Sequence, residues 1–167
     1  MITTNTPPPT VIGRVRSPWT TPTTTPFQSL HDTGGEGRVD LHARWAGLLE
    51  GLDGFDYVWL ITWLDRAGRP AADGRVVPFL LRHLGPAAPR LGVLATRHPA
   101  RPNPLGLSVV RLVAVEGATL HVRGLDVFDG TPVLDVKPWQ QRIDVPRWDE
   151  GPEAVAAIRG GWLGDVP

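Results

Sequence analysis

The sequence predicts a mainly β protein, a small single-sheet β-barrel with short peripheral helices. Short segments of alternating or continuous apolar character recur along the 167 residues, and such segments are typical of strands. Turns rich in glycine and proline separate them, which accounts for much of the 19 glycines and 18 prolines. Since no solenoid-type repeat is present, one closed or nearly closed sheet is the most economical arrangement of so many short strands.

The first half of the chain contains three predicted strands and one short helix. Val11–Ser17 and Arg38–His42 alternate between apolar and polar residues, which predicts a strand in each. Within residues 43–52 the apolar side chains fall at helical spacing, so we expect a short helix there. Residues 55–64 are β-branched, aromatic and almost continuously apolar, which predicts a strand covered on both faces.

The second half is predicted to contain more strands joined by short turns. The segment Val76–Leu84 fits either a strand or a short helix. The next predicted strands are Leu91–Thr96, Leu105–Val115, Thr119–Leu125 and Val133–Val136. Residues 116–118 form a plausible hairpin turn, and Asp129-Gly130 taken alone indicates a second hairpin rather than a site. Residues 140–149 look irregular.

These elements suggest one domain with a tail at each end. Residues 1–10, rich in threonine and proline, are expected to be a flexible N-terminal tail, and residues 11–145 the barrel domain. Residues 146–167 are expected to be a C-terminal tail, with a possible short helix over 152–159.

The composition excludes several classes of function. Lysine plus arginine equals aspartate plus glutamate at 17 each, which argues against a large RNA footprint. Cysteine is absent, so disulfides, thiolate metal sites and a cysteine nucleophile are excluded, and the histidines show no metal-ligand spacing. No apolar run approaches the length of a membrane span, and residues 1–10 lack the features of a signal peptide. We therefore expect a cytoplasmic protein without metal and without a membrane partner.

The stretch from Arg97 to Ser108 is the most suggestive candidate loop. It has three prolines, which stiffen the backbone, and two arginines and an asparagine, which offer forked polar groups. This combination suits an anionic or amide-bearing ligand. An ordinary Pro-rich turn with solvated arginines is the alternative.

Five other arginines allow two interpretations. They could form a patch that faces phosphates, or they could be scattered over the surface, the commoner outcome in a chain of zero net charge. These residues are Arg14, Arg16, Arg38, Arg142 and Arg147.

Two long motifs resemble the TsaA/TrmO family. The first is Gly92–Arg97 followed by Arg101–Val110, and the second is Leu125–Pro138. The segments Ile12–Pro18 and Leu52–Trp59 also resemble the family, so that the resemblance covers most of residues 11–145. It implies a small β-barrel that binds S-adenosyl-L-methionine, usually as a homodimer with the sites near the interface. Characterised bacterial members methylate N6 of threonylcarbamoyladenosine beside the anticodon of certain tRNAs.

The resemblance also implies a set of cofactor-binding residues. Two positions depart from the family: Phe27 replaces the arginine of a Pro-Arg-Gln signature, and Asp65-Arg66 replaces a dipeptide that is often His-Gln. The implied cofactor contacts are Pro26, Phe27, Gln28, Asp65, Arg66, Arg97, Leu107, Asp129, Gly130, Thr131 and Pro132.

Methyl transfer from a sulfonium is an in-line displacement, in which positioning supplies much of the rate and no enzyme nucleophile or metal is required. A general base is optional. The candidates are Asp65, His98 and Asp129, with Asp135 as a further carboxylate. Each has an alternative structural reading: the carboxylates as turn or strand-end residues, the histidine as a solvated loop residue.

Three functions therefore stay open. The first is a methyltransferase acting on threonylcarbamoyladenosine in tRNA. The second is an S-adenosyl-L-methionine-dependent transferase acting on a small molecule, with the changes at Phe27 and Asp65-Arg66 as substrate-side adaptations. The third is a non-catalytic barrel that binds cofactor or RNA.

Overall fold

The computed structural model describes residues 8–29 and 35–145. The chain divides into two compact units: Met1–Ala67 with Asn103–Trp139, and Gly68–Pro102 with Gln140–Pro167. The expected helix over 152–159 lies outside the described residues, as does most of the expected N-terminal tail. The proposed division into tails and barrel stays a prediction.

The first unit is a closed antiparallel barrel of six strands, which confirms the predicted fold class. The barrel strands are β1 (Gly13–Arg16), β2 (Glu36–Leu41), β3 (Tyr57–Trp63), β6 (Leu105–Glu116), β7 (Thr119–Arg123) and β8 (Pro132–Pro138). Their order around the barrel is β1-β2-β7-β6-β3-β8.

Alternation along the strands builds the barrel core. Successive strand residues point to opposite faces, so every second side chain enters the interior. Val15, Val39, Val58, Leu60 and Leu120 are fully buried there. The outward residues of β3 are only half-buried, so the expectation that this strand is covered on both faces is wrong for the described chain. Its continuous apolarity therefore includes an outer apolar face.

The second unit contains a two-stranded sheet of β4 (Arg75–Val76) and β5 (Leu91–Gly92). The Arg90 guanidinium donates to the Asp73 carboxylate at 2.8 and 3.1 Å and to the Arg75 carbonyl oxygen at 2.9 Å, which ties the two strands together. The segment Val76–Leu84, which the sequence left open, is resolved as β4 followed by a 3-10 helix at Phe79–Ala87. A short helix, α1 (Gln141–Asp144), lies in the stretch predicted to be irregular.

Two predicted elements take a different form. The helix expected over 43–52 is a 3-10 helix at Ala43–Leu49, with a second 3-10 turn at Leu52–Gly54. The strand expected at Leu91–Thr96 ends at Gly92, because β4 offers a partner to only two residues. A 3-10 turn, Val93–Ala95, follows.

The hairpin suggested by Asp129-Gly130 is also wrong. β7 pairs with β2 and β6, whereas β8 pairs with β1 and β3. The segment between β7 and β8 therefore crosses over instead of closing a local hairpin, and the Asp129-Gly130 turn lies beside β1.

Candidate functional site

The Asp129-Gly130 turn is fastened to β1 and to the residues that follow it. The Ser17 amide donates to Oδ1 of Asp129 at 3.2 Å, and the Asp129 amide donates to the Trp19 carbonyl oxygen at 2.8 Å. The Gly130 amide donates to the Val15 carbonyl oxygen, also at 2.8 Å. Gly130 has a φ of +79°, a conformation that favours glycine. These contacts fix the position of the Asp129 carboxylate.

Two arginines donate to successive carbonyl oxygens of this turn. Arg66, just beyond β3, donates from Nη2 to the Asp129 carbonyl oxygen, and its guanidinium lies over the Phe128 ring at 5.4 Å. Arg14, on β1, donates from Nη1 to the Gly130 carbonyl oxygen at 2.8 Å. The turn thus carries one carboxylate and two permanent cations, a suitable set for a zwitterionic ligand.

The neighbouring residues shape the turn. The Thr131 side chain is buried, and its hydroxyl donates to the Phe128 carbonyl oxygen at 2.7 Å. Pro132 opens β8 opposite Arg14. Asp65 is exposed, with Oδ1 4.0 Å from Nε of Arg66. Thr131 and Pro132 therefore support the geometry, whereas Asp129 and Arg66 present ionised groups.

Asp126, between β7 and the Asp129-Gly130 turn, connects the Pro26–Gln28 segment to β6. Its Oδ2 accepts from the Ser29 amide at 2.9 Å, and its Oδ1 accepts from the hydroxyl of Ser108. The Gln28 side-chain amide donates to the Phe27 carbonyl oxygen at 2.8 Å. Two segments implied by the resemblance, Pro26–Gln28 and Asp129–Pro132, are thus anchored within a few residues of each other.

Leu107 lies on the outside of the barrel. It is 57% exposed and pairs with Ile61, whereas the next residue, Ser108, points inward. Together with its outward neighbours it forms what we call the apolar outer patch. This patch consists of Trp59, Ile61, Trp63, Leu105, Leu107 and Val109.

Arg97 and His98 belong to the second unit, in a loop braced by its own polar groups. The Thr96 hydroxyl donates to the Val93 carbonyl oxygen at 2.8 Å and accepts from the His98 amide at 3.1 Å. Arg101 donates to the carbonyl oxygens of Val93 and Thr96 at 3.1 and 2.6 Å. Arg101 is therefore a bracing residue, while the Arg97 side chain is exposed.

His98 is held as a neutral imidazole. The Ala100 amide donates to its Nδ1 at 3.1 Å, so the neutral ring carries its proton on Nε2. Burial lowers the pKa of His98 below its usual value, and the nearby charges of Arg82 and Arg101 lower it further. With Nδ1 engaged, His98 is better suited to donate a hydrogen bond than to accept a proton.

Sequence reasoning missed several polar residues around the turn. They are Ser17, Ser108 and Asp126, and each makes its contact with a residue distant in sequence. Ser108 and Asp126 lie inside the two quoted motifs, but only the strand order shows that their side chains meet. Arg14 was considered only as a member of a surface patch.

The described ranges contain neither a candidate metal site nor a membrane-spanning helix. Within residues 8–29 and 35–145, no group of three or more histidine, cysteine, aspartate or glutamate side chains could hold a metal ion. Over the same ranges, no helix has the length and apolar character needed to cross a membrane.

Comparisons with known proteins give a consistent result. Residues 14–145 match the family described as the tRNA-methyltransferase O N-terminal domain. A protein of Pyrococcus abyssi, named as a probable S-adenosyl-L-methionine-binding protein, is 36% identical over 91% of this chain and 73% of its own. An S-adenosyl-L-methionine-binding protein of Archaeoglobus fulgidus is 36% identical over 84% of this chain and 94% of its own.

A relative and a solved structure carry an enzyme's name. The human tRNA (adenine(37)-N6)-methyltransferase is 36% identical over 59% of this chain, but only 21% of the human protein is covered. A crystal structure of TrmO from Pseudomonas aeruginosa has a TM-score of 0.69 and 32% identity over 92% of this chain. The chain spans 64% of that TrmO chain. With its six-stranded barrel and a family match over residues 14–145, the chain belongs to the TrmO family, as a tRNA-methyltransferase O N-terminal domain.

Proposed function

We propose that this chain is an S-adenosyl-L-methionine-dependent methyltransferase that modifies N6 of threonylcarbamoyladenosine in tRNA. The observation that carries the proposal is the Asp129-Gly130 turn with Arg66 and Arg14 on its carbonyl oxygens, within a barrel of the TrmO family. The names of the relatives support both the cofactor and the class of acceptor.

The residues at the turn fit the amino-acid end of S-adenosyl-L-methionine. Asp129 accepts one hydrogen bond through Oδ1, and its second carboxylate oxygen suits the ammonium of the ligand. Arg66 is 46% exposed and retains N–H groups for the ligand carboxylate after its contact with the Asp129 carbonyl oxygen. We therefore assign Asp129 to the ammonium and Arg66 to the carboxylate of S-adenosyl-L-methionine.

The remaining implied contacts are separate parts of the proposal. Gln28 and Phe27 are anchored through the Ser29–Asp126 hydrogen bond, so that they are positioned for a ligand at little entropic cost. Arg97 and Leu107 are proposed on the resemblance. The bound cofactor supplies an electrophilic methyl group, and the protein orients the acceptor nitrogen in line with the carbon–sulfur bond that breaks.

A general base is optional for this reaction, because the methylated nitrogen can release its proton to water. Asp65 is the carboxylate that we propose to assist, since both carboxylate oxygens of Asp129, the other candidate, are assigned to other contacts. We propose that His98 donates a hydrogen bond from Nε2, because its Nδ1 already accepts from the Ala100 amide.

Transfer of a labelled methyl group tests the proposal. Purified protein, labelled cofactor and tRNA with or without threonylcarbamoyladenosine are combined, and the nucleosides are analysed by mass spectrometry. We expect label on the modified tRNA alone, at N6. A folded protein that binds the cofactor but transfers no methyl to either RNA would contradict the assignment.

Matched variants test the residues. Asp129→Asn and Arg66→Gln should each weaken cofactor binding by roughly tenfold or more, as expected for the loss of a charged hydrogen bond. Asp53→Asn and Arg69→Gln make the same changes at exposed positions outside the turn and should retain wild-type affinity. Arg97→Ala tests Arg97 independently. Equal affinities for Asp129→Asn and Asp53→Asn would remove Asp129 from the site.

The second candidate, a small-molecule acceptor, is favoured by one observation. Arg66 lies at the position of a departure from the family and contacts the candidate site directly. If tRNA is not methylated, wild type and Arg66→Gln are screened for methyl transfer to small molecules. Methyl transfer by wild type to a small molecule would distinguish this candidate from a non-catalytic barrel. A barrel that binds cofactor and methylates nothing supports the third function.

We further propose that the chain forms a homodimer through the apolar outer patch. Leu105 and Leu107 are 46% and 57% exposed, and the pairs Trp63–Leu105, Ile61–Leu107 and Trp59–Val109 make the patch continuous. Contiguous exposed apolar surface marks an interaction site. Light scattering should show Leu105→Arg as a monomer, while Leu48→Arg, at a 77% exposed position on a 3-10 helix, should remain dimeric. A dimeric Leu105→Arg protein would exclude this patch.

A further inference from the structure

Three of the five arginines considered as a phosphate-facing patch come together on the outside of the barrel. Arg14 and Arg16 alternate with buried residues on β1, and Arg38 does so on β2. Arg16 and Arg38 are direct cross-strand partners, and Arg38 is in turn opposite His121 on β7. Such partners have Cα atoms about 4.5–5.5 Å apart, so these groups form one row across three strands.

The row is part of a face with excess positive charge. Strands β1, β2, β7 and β6 carry five arginines and one histidine against three carboxylates. Over the whole chain, positive and negative residues balance. The excess on this face is therefore local, and like charges directly opposite each other destabilise a sheet unless something compensates them.

Asp40 compensates the pair in an unusual manner. Its Oδ2 accepts from Nε of Arg16 at 3.2 Å and its Oδ1 accepts from Nε of Arg38 at 3.0 Å. The Thr119 hydroxyl donates to the same Oδ1 at 3.4 Å. Each guanidinium is thus held through Nε, and within residues 8–29 and 35–145 its two terminal nitrogens make no hydrogen bond. The two side chains are 49% and 54% exposed.

This arrangement suits a phosphate. Two guanidinium groups fixed by one carboxylate lose little further entropy on binding, and a planar fork matches phosphate oxygens. Arg16 also directly precedes Ser17, whose amide donates to Asp129. Arg16 therefore lies at the end of the strand that leads into the candidate site, and Arg38 lies beside it on β2.

We propose that Arg16 and Arg38, held by Asp40, form a phosphate clamp for the sugar–phosphate backbone of the RNA substrate. The proposal rests on the proposed function, because it assigns a docking surface to the RNA acceptor. The clamp binds backbone phosphate irrespective of the modified base.

The test is equilibrium binding of a fluorescent, unmodified tRNA transcript at several salt concentrations. Arg16→Gln/Arg38→Gln should raise Kd roughly tenfold and reduce the slope of log K against log salt by about 1 to 2. The control, Arg44→Gln/Arg69→Gln, removes the same charge at two exposed positions outside the face and should bind like wild type. Circular dichroism and melting curves verify that all variants fold.

A charge-conserving variant separates a clamp from general attraction. Arg16→Lys/Arg38→Lys keeps both charges but loses the planar forks, so we expect it to bind at least about threefold more weakly than wild type. Wild-type affinity for the lysine pair, or equal losses in the glutamine pair and its control, would overturn the clamp.

The outcome is independent of methyl transfer. Cofactor affinity, measured by calorimetry, should be the same in the glutamine pair and in wild type. Failure of methyl transfer with the clamp effect intact refutes the proposed reaction alone. Methyl transfer by wild type, with no difference between the two glutamine pairs, refutes the clamp alone.

Discussion

Replacing Gly130 by alanine tests whether the turn geometry controls the candidate site. Gly130 has a φ of +79°, and a Cβ added there would lie 3.4 Å from Nη2 of Arg66. Left-handed backbone costs an alanine about 1–2 kcal/mol. For a chain of this size, that loss corresponds to a decrease in Tm of about 2–8 °C.

The second effect falls on Arg66. The added Cβ comes into van der Waals contact with the guanidinium, and relaxation of the strained turn moves the Asp129 carbonyl oxygen. Both changes weaken the hydrogen bond from Arg66 and shift the group assigned to the ligand carboxylate. A loss of about 1 kcal/mol would raise the cofactor Kd by about fivefold. Calorimetric titration with the cofactor measures this change.

Gly51 provides the matched control. Its φ is +81°, and a Cβ there would meet nothing within 4 Å. Gly51→Ala should therefore lower the Tm by a similar amount and leave cofactor affinity unchanged. If both variants bind the cofactor equally well, the coupling between the turn and Arg66 is refuted. An unchanged Tm in both would refute the backbone argument.

Two further predictions concern stability. The Thr62 hydroxyl is fully buried without a hydrogen-bond partner among the described residues. Thr62→Val should therefore stabilise the fold by about 1 kcal/mol, whereas Thr62→Ser should destabilise it. Denaturant unfolding measures both changes, and a loss of stability in the valine variant would contradict the reasoning. The lowered pKa of His98 means that its neutral form stabilises the folded state above the ordinary histidine pKa, and that this contribution is lost as the pH falls. The Tm of wild type should therefore fall more between pH 7.5 and pH 5 than the Tm of His98→Asn, whose side-chain oxygen can replace Nδ1 as the acceptor. Parallel Tm profiles would exclude His98 as a source of the pH dependence.

Local pattern was sufficient for most of the barrel strands. Alternation placed β1, β2 and β7 within a few residues of their observed bounds, because a strand with one face in a core must repeat every two residues. The apolar run Val109–Val115 located β6 in the same way. The same reasoning failed at Leu91–Thr96, where the apolar run has only two residues of partner strand. An apolar run alone does not specify a strand. The segment forms a strand only over the residues for which a neighbouring strand offers hydrogen-bond partners.

The candidate site shows a similar division. Asp129, Gly130 and Arg66 were identified by resemblance, and their contact was not. Arg14, Arg16 and Arg38 were considered as a patch, but a scattered surface fitted the charge balance equally well. Their convergence depends on the register of β1 against β2 and β8, which no local pattern specifies.

By itself, the sequence determined the barrel class, the absence of cysteine chemistry and the two motifs that identify the family. The tertiary structure alone decided that β8 closes the barrel against β1 and that Arg66 meets the Asp129-Gly130 turn. It also decided that Asp40 holds two arginines together. The physical reason is range: alternation and turn chemistry act between neighbours in the chain, whereas strand order joins groups separated by 24 to 116 residues.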